Sequence, residues 1–552
     1  MTRPQHDGGL LPECNVTFQS DCCGDECRPG WRKRHGCKTG NSSHVNHPFL
    51  NDLSADLAKT VIFGRFLPSQ ARIRKSGGGF WTMRAGLRRQ TARGMVRIKR
   101  GPAPRRTVTG MDSMKGLVRT AAAATVSVAA LLAAGAASAS SFAIRSGQGA
   151  EGLGMAYAGA ASGGIGMGAM AWNPATITMF PGRHSNWNFT YLNANGDYQP
   201  TSPSRIGSPV GPLNPIQLGT GNLGGDGAFI PASASAWQLT DRLWVGMTTG
   251  APYGLRSKPD NQAHAAQIYG RSAKVVTVNV SPTIGYKVND WLSVGAAMQV
   301  QYLSATLKQA SGLAPTAAPV ILDGDTIDFG YRFGLTLTPF NGTNIGLAYR
   351  SSIHQSLNGS LSTPLARIPV KANLNLPDSV VFGLSQVIND QWQVHAGVEW
   401  TNWSRFRNIP VVSKLNGLPA TSLNFQYDDA WFFSGGVEYK YSNDLTLRAG
   451  IGYELSAVND RNRTIYISDN DRLWLSAGAS YQVTDRIKLD VGYTYIDVKK
   501  ASVNYTGGHP QQGAVFYTAE AKPYIHIASV GITYNWDDPK QTIPVQPVVR
   551  KY

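Results

Sequence analysis

Cysteine is absent from most of this 552-residue chain, because all five (Cys14, Cys22, Cys23, Cys27 and Cys37) precede residue 38. Nothing beyond that point can be stapled by disulfides or hold a thiolate-ligated metal. Charge is also scarce, at 16% Asp, Glu, Lys and Arg. An aromatic content of 10% separates the chain from disordered sequences, which are poor in such side chains. Long apolar runs are missing after residue 140, which excludes a membrane protein built from spanning helices. Glycine is what the chain has in quantity, 60 residues of it.

The formal net charge of +18 belongs mainly to one end, since residues 1–110 hold 20 Lys/Arg against 7 Asp/Glu. A basic start, Met114-Lys115-Gly116-Leu117-Val118-Arg119, leads into an apolar run from Ala121 to Ala136 and then Ala137-Ser138-Ala139. Basic, apolar and small-residue parts in this order form a secretory signal peptide over residues 114–139. A signal peptide begins its chain, so residues 1–113 read as an upstream over-extension, expected to be disordered. The exported protein then starts at Ser140. The cysteines and the basic Arg97-Ile98-Lys99-Arg100 fall outside it, so no metal, cofactor or nucleic-acid partner is expected.

Period-2 alternation dominates the exported part. From Val276 to Val288 every even position is apolar or Pro. The pattern recurs at Leu292 to Tyr302, Trp392 to Trp400, Leu445 to Tyr453, Leu473 to Val483 and Ile487 to Tyr495. Strands of about ten residues with one apolar face and aromatics near the ends fit a transmembrane barrel better than a soluble sandwich, whose strands average nearer six. Short turns at Thr240-Asp241-Arg242, Asn289-Asp290, Asn341-Gly342-Thr343, Asn389-Asp390, Asn443-Asp444 and Thr484-Asp485 recur at intervals wide enough for a strand, a longer loop and a strand. Six turns join seven hairpins, predicting an all-β, 14-stranded antiparallel barrel over residues 184–536 with both termini periplasmic. A polar, Pro-containing tail, 537–552, follows a final strand ending Tyr534-Asn535-Trp536.

Residues 140–182, the bulk of a segment bounded at 183, precede the first strand and are apolar and rich in glycine, with one Arg and one Glu. The segment is too apolar for a linker and too glycine-rich for a strand or long helix, and reads as a plug inside the barrel. Parity turns Lys287, Arg350, His395, Glu399, Arg448, Lys488 and Asp490 into the lumen, where their mixed signs indicate salt bridging. No Ser–His pair on adjacent strands stands out, and no enzyme activity is expected.

Gly152-Leu153-Gly154-Met155-Ala156-Tyr157-Ala158-Gly159-Ala160-Ala161, followed by Trp172-Asn173-Pro174-Ala175-Thr176-Ile177, resembles the N-terminal hatch of the FadL/TodX outer-membrane transporters of long-chain fatty acids and hydrocarbons. Leu347-Ala348-Tyr349-Arg350-Ser351, Asn373-Leu374-Asn375-Leu376-Pro377, Trp400-Thr401-Asn402-Trp403-Ser404 and Asp471-Arg472-Leu473-Trp474 extend the likeness across 140–536. The resemblance implies a hatch carrying the Asn173-Pro174-Ala175 motif. It also implies an inward kink of the third strand, here Thr249-Gly250-Ala251-Pro252-Tyr253-Gly254, which would open a lateral exit at Gly250, Pro252 and Gly254. Passive uptake of long-chain fatty acids would follow, in the Gram-negative outer membrane. The partners would be outer-membrane lipid, lipopolysaccharide and the barrel-assembly machinery, and the protein a monomer. The family's basic positions for a fatty-acid carboxylate fall on Ser304 and the neighbourhood of Gln426-Tyr427. Either another cation serves, for instance Arg405 or Arg407, or the ligand is a neutral aromatic or aliphatic hydrocarbon. A polar-solute porin and a structural or adhesin barrel are the remaining alternatives.

Overall fold

The computed structural model describes residues 145, 149–201, 205–206, 221–222, 227–259, 264–506, 508–511, 513 and 515–537. Segment 1–113, the stretch 114–139 expected to be a signal peptide, Ser140 and the tail beyond 537 lie outside the described residues.

Fourteen antiparallel strands form the wall. The first half comprises β1 (Arg183–Asn195), β2 (Ala228–Gln238), β3 (Leu243–Gly250, resumed at Gly254–Ser257), β4 (Ser272–Lys287), β5 (Leu292–Ala310), β6 (Pro319–Phe340) and β7 (Thr343–Arg350, resumed at Ile353–Ser362). The second comprises β8 (Arg367–Leu376, resumed at Ser379–Val387), β9 (Trp392–Thr401, resumed at Asn408–Ser413) and β10 (Pro419–Asn424, resumed at Ala430–Lys440). It is completed by β11 (Leu445–Leu455), β12 (Arg472–Thr484), β13 (Ile487–Val498) and β14 (Tyr524–Asn535). Pairing of β1 with β14, from His184↔Asn535 to Asn195↔Tyr524, closes the sheet on itself. The predicted 14-strand barrel is therefore the fold, closed on itself between its first and last strands.

Alternation has the orientation a bilayer demands. On β13, Leu489, Val491 and Tyr493 are exposed on the outer face while Asp490 and Thr494 are buried inside. All six predicted turns join the strands expected of them. At five of them one side-chain oxygen accepts the next two backbone N–H groups: Thr240, Asn289, Asn389, Ser442 and Thr484 each bond to residues two and three positions on, at 2.8 to 3.3 Å. Such Asx and Ser/Thr turns satisfy donors that a tight reversal would otherwise orphan. The sixth turn uses Gly342 at φ 84°. Trp392 and Tyr439 meet at this end with ring centroids 4.6 Å apart, as in an interfacial aromatic girdle.

The seam between β2 and β3 departs from regular pairing. The β2–β3 ladder runs from Gln238↔Trp244 to Ser233↔Thr249. Beyond Ala251–Tyr253 the resumed part of β3 pairs with β4 alone, from Gly254↔Val276 to Ser257↔Ala273. Residues Ala228–Ala232 of β2 keep their partners on β1 and have no ladder on the β3 side.

At the other seam, Trp536 donates through Nε1 to Ser185 Oγ (3.0 Å), and Asp537 accepts from the backbone N (2.7 Å) and Nε (2.8 Å) of Arg183. Truncation after Asp537 is expected to leave a heat-modifiable barrel, because it keeps these contacts of Trp536 and Asp537 at the seam. Failure of that variant to reach the membrane in a heat-modifiability gel would place the assembly signal at the chain end.

Candidate functional site: a plugged lumen and two cavities

Residues 149–180 fill the lumen as one short helix, α1 (Ala150–Leu153), and two 3-10 turns, Gly166–Ala171 and Pro174–Met179. Glycine in the wall makes room for them. A Cβ at Gly295 or Gly334 would overlap the Asn173–Ala175 turn, one at Gly346 would overlap the Ala161 backbone, and one at Gly450 would overlap Met155. Gly346↔Gly383, Gly383↔Gly397, Gly436↔Gly450 and Gly478↔Gly492 are direct cross-strand partners. The belt they form lets hatch backbone approach wall backbone directly.

Asn173, fully buried, fastens this arrangement. Its Nδ2 donates to Ala161 O within the hatch (2.7 Å) and to Leu335 O of β6 (2.9 Å), while Oδ1 accepts from Ala175 N (2.9 Å). Asn173 is extended (φ −120°, ψ 107°), as a residue preceding proline prefers, and Pro174 starts the 3-10 turn. Pro174 and Ala175 are buried, Ala175 against Gly295.

Ion pairs tie the hatch down at two further levels. Glu151 of α1 pairs with Lys488 and lies 3.6 Å from Arg448, which also pairs with Glu438 (2.6 Å). Arg145 pairs with Glu399 (2.7 Å) and Glu454 (3.0 Å) and lies 4.0 Å over the Phe432 ring. Removing one partner of a buried pair strands the other, so Glu151→Gln is expected to loosen the hatch more than it destabilises the barrel. Faster protease cleavage of the hatch with unchanged heat-modifiability is the measurement that checks this.

The structure does contain a Ser–His pair on adjacent strands, which the sequence reading did not find. Ser385 Oγ lies 2.8 Å from His395 Nδ1 and 2.6 Å from Ser162 Oγ of the hatch. His395 Nε2 has no partner, all three residues are buried, and Gly159 and Gly164 cover them. The chain links hatch to wall and offers no nucleophile to a substrate.

Two cavities lie between the hatch and the loop end. The outer one, about 920 Å³ counting its open mouth, is an apolar cleft lined by residues including Leu255, Leu303, Leu357, Phe406 and Phe425. The inner one, about 730 Å³, rests on hatch residues Ala171 and Trp172, includes Pro252 and Tyr253 at the break in β3, and is polar. Aromatic rings separate them: Trp403 packs edge-on against Tyr253 (6.0 Å) and Phe406 (5.8 Å). In the β3–β4 loop, burial pushes His264 down to about 4, leaving it neutral at ordinary external pH.

Gly250 ends the first half of β3 and Gly254 begins the second, with Pro252 between them. Neither arginine expected beside a carboxylate lines either cavity. Arg405 Nε pairs with Asp378 at 2.5 Å and Arg407 Nε donates to Ser404 O. The inner chamber instead presents Arg332, which the sequence reading missed, and Arg350.

A closed barrel with an apolar outer face, a lumen filled by its own N-terminal segment and an apolar cleft above it defines an outer-membrane transport protein. Residues 130–540 match the family described as "Outer membrane protein transport protein (OMPP1/FadL/TodX)", and the chain belongs to it. Its place is the Gram-negative outer membrane. It is 26% identical over 412 residues to the "Long-chain fatty acid transport protein" of Salmonella typhi, covering 68% of this chain and 90% of that one. A Pseudomonas aeruginosa FadL homologue shares the fold at TM-score 0.63 with 21% identity, covering 72% of this chain and 100% of that one. The Ralstonia pickettii toluene transporter TbuX matches at TM-score 0.52 with 19% identity, covering 70% and 98%.

Proposed function

We propose that this protein carries long-chain fatty acids passively into the cell envelope, without a catalytic step, from the loop-end cleft through the inner chamber and out sideways at β3. The observation that carries the reading is the placement of the chamber. It lies between an apolar cleft and the seam where β2 and β3 part, with the hatch as its floor. An acyl chain leaves water for the cleft at about 0.8 kcal/mol per buried methylene. Such a ligand has no route straight down past the glycine-seated hatch, whereas Ala228–Ala232 offers a wall without a ladder. Pro252 lacks the N–H that would restore pairing there. The Salmonella relative's name favours fatty acids, and the TbuX title supplies the competing hydrocarbon reading.

The domain scheme belongs to the same proposal: signal peptide 114–139, exported chain from Ser140, hatch 140–183, barrel 184–536. The protein acts as a monomer inserted by the barrel-assembly machinery among outer-membrane lipid and lipopolysaccharide. Cells lacking it are expected to lose growth on oleate, and proteoliposomes holding it to swell little in small sugars. Rapid sugar swelling would point to an open porin, and unchanged growth on oleate and on hydrocarbons to a structural barrel. Pro252→Ala is expected to slow oleate uptake several-fold at unchanged protein level.

A further inference from the structure

Arg332 and Arg350 stand directly opposite one another on β6 and β7. Like charges at directly opposed positions destabilise a sheet, and both residues line the inner chamber. Arg332 is 3% exposed and its Nε has no hydrogen-bond partner. Among the described residues neither guanidinium has a carboxylate within salt-bridge reach. Arg350 Nε donates to the neutral Gln299 Oε1 (2.9 Å) and its guanidinium lies 5.5 Å from the Tyr253 ring centroid. The chamber's two acids, Glu399 and Glu454, already pair with Arg145, and Glu454 also with Arg472 (3.3 Å). The chamber therefore keeps an excess of positive charge beside the break in β3.

Resting on the uptake reading above, we infer that Arg332 and Arg350 form an anion slot that takes the carboxylate of a long-chain acid and signals its arrival to the hatch. A carboxylate between two guanidiniums removes their repulsion and satisfies the orphaned Nε. The signal follows from what else Arg332 holds: it donates to Ala171 O of the hatch and, at 3.3 Å, to Thr248 Oγ1 of β3. A carboxylate competes for these same N–H groups and binds them more strongly than a neutral carbonyl does. Filling the slot thus weakens one tie on the hatch and one on β3 at once. A neutral ester or hydrocarbon entering the same chamber does neither.

The test compares palmitate with methyl palmitate, which differ only at the head. Equilibrium dialysis of the full-length wild-type protein in detergent is expected to show palmitate preferred by roughly 10- to 100-fold, the range for a charge-assisted hydrogen-bonded pair. In Arg350→Gln the preference should fall to within about 3-fold, and Arg350→Lys should restore part of it. Palmitate, but not its methyl ester, should raise deuterium exchange across hatch residues 165–173. A wild-type protein that binds and transports both probes equally overturns the slot and leaves the uptake reading standing. A wild-type preference that survives Arg350→Gln in a heat-modifiable variant also overturns it. A protein that binds neither probe overturns both. Because the wild-type comparison decides the matter alone, a misfolded variant does not spare the proposal.

Discussion

Gly346→Val is expected to turn a closed barrel into a leaky one, with proteoliposome swelling in small sugars rising several-fold over wild type. The reason is geometric. A Cβ on Gly346 would overlap the carbonyl group of Ala161, which is backbone and cannot rotate aside as a side chain would. Overpacking of this kind costs about 1–3 kcal/mol when a core can adjust. Here the adjustment available is displacement of the hatch, since the wall strand is pinned by ladders to β6 and β8 on both sides. The outer face is untouched, so the variant should insert and remain heat-modifiable. Gly435→Ala supplies the control: a Cβ there meets nothing within 4 Å, and swelling should stay at the wild-type rate. Equal swelling of Gly346→Val and wild type would mean that the hatch tolerates an isopropyl group between itself and the wall, and the glycine belt would have no part in closure.

Strand number was legible because each short turn carries a polar residue whose side chain can cap its own reversal. Thr240, Asn289, Asn389 and Thr484 announce themselves by that chemistry alone, whereas at Asn443-Asp444 the turn was legible but its capping side chain, Ser442, was not. The hatch was legible as composition, apolar and glycine-rich at once, but the glycines of the wall that receive it were not. A glycine in a strand looks the same whether hatch, lipid or a partner strand lies beside it. Two pairings were within reach and missed. Arg332 and Arg350 are equidistant from Asn341, and Ser385 and His395 from Asp390, so in a tight hairpin each pair must face across the ladder. Parity placed Arg350 and His395 in the lumen, yet treating strands singly hid their neighbours. The contacts dividing cleft from chamber were beyond such arithmetic. Tyr253 and Trp403 meet because β3 breaks inward and the chain after β9's first half turns back into the lumen, and no hairpin symmetry relates them.

Asn173→Ala is expected to release the hatch without unfolding the barrel. The side chain makes three hydrogen bonds from a fully buried position, two within the hatch and one to the wall. Losing them leaves Ala161 O without its amide donor and takes from Leu335 O the bond that joins hatch to wall. At about 1 kcal/mol for each bond and more where a buried group goes unsatisfied, the total is about 2–4 kcal/mol. That corresponds to a shift of roughly 30- to 1,000-fold in the balance between seated and released hatch. Limited proteolysis reads the shift directly, as faster cleavage within residues 149–180. Swelling in sugars should rise with it, while heat-modifiability holds because the hatch contributes no strand to the wall. Asn173→Asp separates this account from simple loss of volume. Aspartate has nearly the same shape and keeps the oxygen that accepts from Ala175 N, but it replaces the donor with an anionic oxygen facing the carbonyls of Ala161 and Leu335. It should therefore be at least as leaky as the alanine variant, despite filling the space. A tightly closed Asn173→Asp barrel would mean that packing of the Pro174–Met179 turn, and not the asparagine's donor, keeps the hatch in place.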